Sequence, residues 1–290
     1  MRPIQQSIAR VINRLTRPWL LQYRKLTAGT RVLPSFIIIG TQKGGTTSLF
    51  HYLSQHPQLV PSYRKEVHYF DGGLKPQRDN FSRGERWYKS NFPLRRHVAV
   101  DQQTFEASPM YIFHPLAAQR IQDLLPKVKL ILLLREPTER ALSHYFHQSR
   151  KGRESLAVMD ALKGEEDRLA PALEKEDYND PSFRHFSYKQ RGYYAEQIAR
   201  YQTRFPKENI LVLGSEQFFA DPHTALKRVF DFVGVDAGFQ VANLSARNVG
   251  SNRESVDADV YQYLQDHFRP HNEALFKLIN NDFGWQKKDS

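Results

Sequence analysis

The stretch Phe36 to Phe70, FIIIGTQKGGTTSLFHYLSQHPQLVPSYRKEVHYF, constrains this chain more than any other. Phe36-Ile37-Ile38-Ile39 is an unbroken apolar run rich in β-branched residues, the pattern of a strand buried on both faces. Gly40-Thr41-Gln42-Lys43-Gly44-Gly45-Thr46-Thr47-Ser48 follows, and Leu49, Phe50 and Leu53 then recur at helical spacing. Strand, glycine-rich turn and helix start together make a cradle for an anion. Glycine lets the backbone approach the ligand, and the free N–H groups of the first helical turn point at it, assisted by the helix dipole. Lys43 adds a point charge, and the hydroxyls of Thr46, Thr47 and Ser48 add donors. The plainer alternative is a strand–turn–helix whose glycines serve only tight packing.

The nucleoside-triphosphate loop is spaced G-x-x-x-x-G-K-[ST]. Gly40 and Gly45 keep that spacing, but Thr46 stands in the lysine position and the lysine has moved forward to Lys43. The loop is a poor match to an ATPase. It resembles the 5′-phosphosulfate loop of the sulfotransferases, especially the branch with the heparan sulfate enzymes and their bacterial relatives. That resemblance implies a P-loop-like α/β fold and 3′-phosphoadenosine 5′-phosphosulfate (PAPS) as co-substrate. It implies transfer of a sulfonate group to a hydroxyl of a glycan, lipid or small metabolite. Lys43, Gly44, Gly45, Thr46, Thr47 and Ser48 would then hold the phosphosulfate.

Further segments carry the same resemblance. In LLLREPTERALSHY, Arg135 and Ser143 match the family's pair for the 3′-phosphate. Arginine offers a planar fork to phosphate oxygens and serine a hydroxyl; the alternative for Arg135 is an ion pair with a carboxylate such as Glu139. Arg247 to Arg253, RNVGSNR, falls where the family closes a loop over the nucleotide, which nominates Gly250, Ser251 and Asn252 unless this is a plain surface loop. RGYYAEQIARYQTRFPKENILVLGSEQFFADP and HFRPHNEALFKLINNDFGW extend the likeness over most of residues 35–286. It is weakest in 72–97 and 151–190, which read as substrate or lid insertions.

Chemistry falls to KEVHYF. Glu66 matches the family's catalytic carboxylate, which would take the acceptor's proton as general base. Lys43 would stabilise the bridging oxygen as the leaving group departs, and His68 matches a histidine beside the transferred sulfonate. Read from residue type alone, Glu66 equally suits an ion pair with Lys65 or Arg64, and His68 a packing role. Where the heparan 3-O enzymes carry a lysine just before Ser-Pro, this chain has Ala107, preceded by Glu106. Glu106 is a second candidate for orienting the acceptor or assisting the base, with pairing to a local arginine as the alternative.

The rest of the chain fits one α/β domain of residues 35–290, preceded by an arm of residues 1–34. Strands are predicted at Leu59-Val60, Val98–Asp101, Lys129–Leu134 and Ile210–Leu213, with Glu106 in a loop beyond the second. Helices are predicted over Ala117–Leu125, from Pro137, from Arg191 to Phe205, over Asp221–Val233, and at 256–268 and 271–280. Alternation of short apolar strands with helices points to a mostly parallel sheet covered on both faces, with ligands at the strands' carboxyl ends.

Lys+Arg 42 against Asp+Glu 31 gives a net charge of +11, so the partner is an anion. Residues 1–35 lack Asp and Glu and place Ile4, Ile8, Ile12, Leu15 and Trp19 at helical intervals. This arm suits an anionic membrane surface, an organelle transit peptide, or a packed or frayed helix. Cysteine is absent, and the eleven histidines show no metal-ligand spacing. The expectation is a cytoplasmic enzyme, with peripheral membrane contact through residues 1–30, no metal and no nucleic-acid partner. Two other classes stay open. A P-loop kinase or NTPase would want a lysine at Thr46 and a magnesium-holding acid, for which Asp101 is the candidate; a non-enzymatic polyanion- or membrane-binding module would explain the charge.

Overall fold

The computed structural model describes residues 19–75, 78–245 and 256–285. Gly250, Ser251 and Asn252, and the greater part of the amino-terminal arm, lie outside them. Five parallel strands form one sheet: β1 (Phe36–Gly40), β2 (Leu59–Pro61), β3 (Gln103–Ala107), β4 (Lys129–Leu134) and β5 (Ile210–Gly214), in the order β2-β3-β1-β4-β5.

The apolar run of β1 is unbroken because both faces of the strand are covered. Ile37 and Ile39 enter one core with Leu130, Leu132 and Leu134 of β4, while Phe36 and Ile38 enter another with Ile131 and Leu133. Burial of each such side chain contributes roughly 1.5–3 kcal/mol. The first core is closed by α3 (Ala117–Leu124) and α8 (Tyr194–Gln202), the second by α1 (Thr46–Leu53) and α10 (Pro222–Val233). Between them in the chain lie α2 (Gly84–Lys89), α4 (Pro137–Arg150), α5 (Val158–Lys163), α6 (Glu165–Glu174), α7 (Pro181–His185) and α9 (Ser215–Ala220); α11 (Ala258–Ile279) follows. The result is a three-layer α/β fold whose central strands end at one cleft.

Two sequence expectations are corrected. Val98–Asp101 is a turn with Val100 fully exposed, and the strand is β3, a few residues later. Its sequence QTFEA is polar at three of five positions, yet its polar groups are paired inside the protein. Thr104 Oγ1 donates to Leu33 O at 2.7 Å, and Gln103 Nε2 donates to Val233 O at 2.8 Å. Glu106 therefore lies within the strand, not in a loop beyond it. The carboxyl-terminal region is one helix, α11, running through Pro270. Val260, Leu264 and Phe268 before the proline and Leu275 after it are all buried, so tertiary packing anchors both halves.

Candidate active site

The cradle is set by backbone approach. A Cβ on Gly44 would lie 2.4 Å from Leu133 O, so the loop can sit against β4 only with glycine there. Gly45, the residue capping α1, has φ +96°, and its Cβ would meet the Phe219 ring at 2.7 Å. Gly44 N–H donates to Thr41 O at 3.0 Å, and Ser215 Oγ donates to Gly44 O at 2.9 Å, so the turn is pinned on both sides. Lys43 has φ +72°, a conformation rare outside glycine.

A cleft of about 960 Å³ opens over this turn, lined among others by Lys43, Gly45, Thr46, Thr47, Glu66, His68, Arg135 and Ser143. Gly44 and Ser48 of the predicted set do not line it. Gly44 is spent on the turn, and Ser48 is fully buried in α1. Arg135 follows β4 and Ser143 lies on α4, whose start is capped by Glu136 accepting from Thr138 N–H and Glu139 N–H. Arg135 donates to Lys43 O at 3.4 Å and pairs with Glu139 at 3.1 Å. The ion pair weighed from the sequence is thus present, and it leaves the guanidinium against the cradle.

Glu66 and His68 face the same cleft from the segment after β2. Lys65 Nζ donates to Glu66 Oε1 at 2.6 Å, His68 Nε2 lies 3.3 Å from Glu66 Oε2, and His68 Nδ1 lies 2.6 Å from Asp71 Oδ2. Burial alone would push the Glu66 carboxyl up, but the contacts with His68 and Lys65 outweigh it and hold it down at about 2. Burial likewise opposes charging His68, yet Asp71 and Glu66 raise it to about 9. Asp71, with no exposed surface, is held below the usual carboxylate range because His68 and Arg184 overcome its burial. The group is a carboxylate–imidazolium–carboxylate chain at neutral pH. Sequence reasoning missed Asp71, although it closes the run KEVHYFD three residues after His68. Glu66 at φ +63° and His68 at φ +53° both occupy the left-handed region. Such strain collects at functional sites.

A further part of the lining is basic and was not foreseen. His147, Arg150, Lys151 and Arg153 come from the end of α4 and just beyond, while His185, Arg184 and Arg191 come from α7 and after. Burial first, and then the nearby cations Lys43, Lys151, Arg150 and Arg153, push His147 down to about 4. Burial and then Arg153, Arg191, Arg184 and Lys151 do the same to His185. Both imidazoles stay neutral in a positive field suited to an anion. The clue was the run of cations in HQSRKGR. Arg191 NH1 donates to Gln42 Oε1 at 2.9 Å, which ties this wall to the cradle loop. Among the described residues no cluster of three or more His, Asp or Glu could hold a metal ion.

The sulfotransferase domain family matches residues 33–271. The chain belongs to the sulfotransferase family. A sulfotransferase from Alicyclobacillus acidocaldarius is 32% identical in solved structure with a TM-score of 0.74, covering 88% of this chain and 100% of that one. The membrane-associated sulfotransferase kil1 of Dictyostelium discoideum is 27% identical over 88% of this chain and 67% of its own length. The human bifunctional heparan sulfate N-deacetylase/N-sulfotransferase 3 is 30% identical over 86% of this chain, which spans 30% of that protein. Human heparan sulfate glucosamine 3-O-sulfotransferase 3A1 is 27% identical, and the chain spans 64% of its length. A sulfotransferase is an enzyme of sulfonate transfer, and membership implies PAPS as co-substrate. Among the described residues no helix is long and apolar enough to cross a membrane.

In this sulfotransferase Glu106 does not reach the cleft. It is fully buried in β3, where Tyr88 Oη donates to its Oε1 at 2.7 Å and Ser108 Oγ to its Oε2 at 3.0 Å. Among the described residues no arginine pairs with it; burial pushes its carboxyl up to about 7 despite those hydrogen bonds. It can neither orient an acceptor by contact nor take its proton.

Proposed function

We propose that this sulfotransferase moves the sulfonate of PAPS to an acceptor hydroxyl by in-line displacement, with Glu66 as general base. The supporting observation is convergence: Lys43, Glu66, His68 and the Arg135–Ser143 pair line one cleft although they are far apart in sequence, with buried Asp71 behind His68. Arg135 and Ser143 receive the 3′-phosphate, and Lys43 with the start of α1 receives the phosphosulfate. The resemblance adds Gly250, Ser251 and Asn252 to the proposed nucleotide-binding set. As the sulfur–oxygen bond to phosphate breaks, its electron pair stays on adenosine 3′,5′-bisphosphate, and Lys43 meets that charge. The acceptor oxygen bonds sulfur, and its proton passes to Glu66. A carboxylate held at about 2 is a weak base for a free alcohol. It suffices here, because an oxygen already bonding to sulfur is far more acidic, so the proton leaves late. The His68 imidazolium donates toward the sulfonate oxygens, in the manner of the electrostatic stabilisation that dominates phosphoryl transfer.

The groups that do this are all organic, and the reading assigns no metal. The kinase alternative loses its magnesium candidate, since Asp101 precedes β3 and lies at the amino end of the sheet, away from the cleft. The acceptor is a hydroxyl of a glycan, lipid or small metabolite, and the basic wall favours one that carries negative charge. We assign the enzyme to the cytoplasm, at a membrane surface. Trp19, Leu20, Leu21, Tyr23 and Leu26 are exposed, and Arg24 stacks 3.8 Å from the Tyr63 ring centroid, close in sequence to Glu66. One relative, kil1 of Dictyostelium discoideum, is named a membrane-associated sulfotransferase, in agreement with this.

Labelled PAPS offered with an extract fractionated into glycans, lipids and small metabolites tests the reading. Label in one fraction is the expected result, and label in none despite tight binding of adenosine 3′,5′-bisphosphate would sink it. The membrane contact is tested by co-sedimentation with phosphatidylglycerol vesicles at low salt. Trp19→Ser with Leu26→Ser should lower the bound fraction several-fold and leave nucleotide affinity unchanged; equal sedimentation refutes the contact.

A further inference from the structure

Glu106 is a buried carboxyl that the transfer step does not use, and its hydrogen bonds lead toward the reacting segment. Ser108 Oγ donates to Glu106 Oε2 at 3.0 Å and accepts the His68 N–H at 3.2 Å. Tyr111 Oη donates to Glu106 Oε1 at 3.3 Å and accepts the Tyr69 N–H at 2.9 Å. A hydroxyl has one proton and two lone pairs, so donating to the carboxylate fixes the direction in which its lone pairs face the amides. The Glu66 N–H, in turn, donates to Ala107 O at 2.8 Å. The backbone of 66–69 is therefore laced to the end of β3 and the turn after it, with Glu106 beneath two of the three ties.

That lacing has something to hold. Glu66 and His68 both have positive φ, which side chains with a Cβ adopt only when the surroundings enforce it. An apolar side chain would fill a strand interior at less cost than a carboxyl. We infer that Glu106 is a positioning residue: through Ser108 and Tyr111 it fixes the backbone of His68 and Tyr69, so that the Glu66–His68–Asp71 chain keeps its register over the cleft. Glu106 touches no reactant and exchanges no proton with one. Tyr88, which also donates to Glu106, holds no amide of the segment and serves as the internal control.

This inference rests on the roles proposed for Glu66 and His68, and two independent measurements separate the two. The first is turnover, read as labelled sulfonate transferred from PAPS into the glycan-plus-lipid extract, alongside affinity for adenosine 3′,5′-bisphosphate. Glu106→Leu and Ser108→Ala should lower turnover by about 10–100-fold, since misplacement near 1 Å costs that much, with affinity held within about threefold. Glu106→Gln, which keeps an acceptor oxygen, should recover most of the loss, and Tyr88→Phe should keep wild-type turnover. The second is the NMR titration of the His68 imidazole, which needs no acceptor. Asp71 and Glu66 raise the His68 imidazole to about 9 against the effect of burial. It should fall by about one unit in Ser108→Ala and Tyr111→Phe as Glu66 drifts from Nε2.

Should Glu106→Leu fail to fold, those two hydroxyl variants carry the test. Unchanged His68 titration in both, or turnover lost only in step with nucleotide affinity, would overturn the positioning role. If the wild type transfers no sulfonate at all, the proposed function fails while the titration still decides the role of Glu106.

Discussion

The two walls that meet at the reaction centre are built by different means. The cradle of residues 40–48 is shaped by sterics: Gly44 presses its backbone on Leu133 O, and Gly45 turns left-handed beneath Phe219. The segment of residues 66–71 is shaped by charge and hydrogen bonds, with Lys65, Glu66, His68 and Asp71 in sequence and β3 behind them. The nucleotide end can be rigid because PAPS is the same in every turnover. At the reacting end, held charges set protonation as well as place. The first wall should answer to shape and the second to proton chemistry.

The largest effect should come from Glu66→Gln, which keeps shape but cannot take a proton at neutral pH. Turnover should fall by roughly 10²–10⁴, the contribution of a positioned base, with bisphosphate affinity within a few-fold of wild type. A variant keeping more than about a tenth of wild-type turnover would remove the base assignment and with it the contrast between the walls.

Gly44→Ala attacks the other wall. Its methyl cannot fit against Leu133 O, so the cradle must move. Loss of adenosine 3′,5′-bisphosphate binding by about 100-fold or more is expected in calorimetry, on the scale of one or two lost charge-assisted contacts. Wild-type affinity would show that the turn is not where the nucleotide sits.

Arg135→Ala sharpens the comparison within the nucleotide end. Loss of one charge-assisted contact costs on the order of 1.5–3 kcal/mol. The preference of the wild type for adenosine 3′,5′-bisphosphate over adenosine 5′-phosphate should vanish in the variant. Equal affinities in the wild type itself would refute the 3′-phosphate site.

The smallest effect is one of pH on stability. His68 is raised to about 9 in the folded protein, so its contribution is complete below its ordinary value near 6.5 and is lost as pH rises through 9. Glu66 is lowered to about 2, so its contribution is present above its ordinary value near 4.5 and is lost as pH falls toward 2. These two groups favour the window between about 4.5 and 6.5. The Tm should fall by a few degrees from pH 6.5 to 9.5, and His68→Gln should flatten that limb. A wild-type Tm that is level across this range would contradict the imidazolium pairing.

Legibility in the sequence followed the same division. Lys43, Thr46 and Thr47 were named from glycine spacing before a helix, a local pattern, and Arg135 and Ser143 from a resemblance to the family's 3′-phosphate pair; the cleft collects all five. Ser48, named with them, is fully buried and does not line the cleft, which a hydroxyl at a helix start does not reveal. Glu106 was misplaced with its strand, because QTFEA lacks the apolar run by which β1 and β4 announce themselves. The basic wall escaped notice because α4 and α7 come together only in the fold. The two helices expected at 256–268 and 271–280 are one, because residues buried on either side of Pro270 hold both halves in place.

The sequence by itself determined the parallel α/β layering and the anion cradle, since glycine geometry and hydrophobic period act between near neighbours along the chain. Tertiary structure alone decided which carboxylates face the cleft and which protonation state each holds. Glu66 and Glu106 are the same residue type, yet one is 39% exposed by side chain and held near 2 by cationic partners, and the other is buried among hydroxyls and raised to about 7. A carboxyl's proton affinity is set by burial and by charges brought close through space, and neither is a property of the residues beside it in the chain.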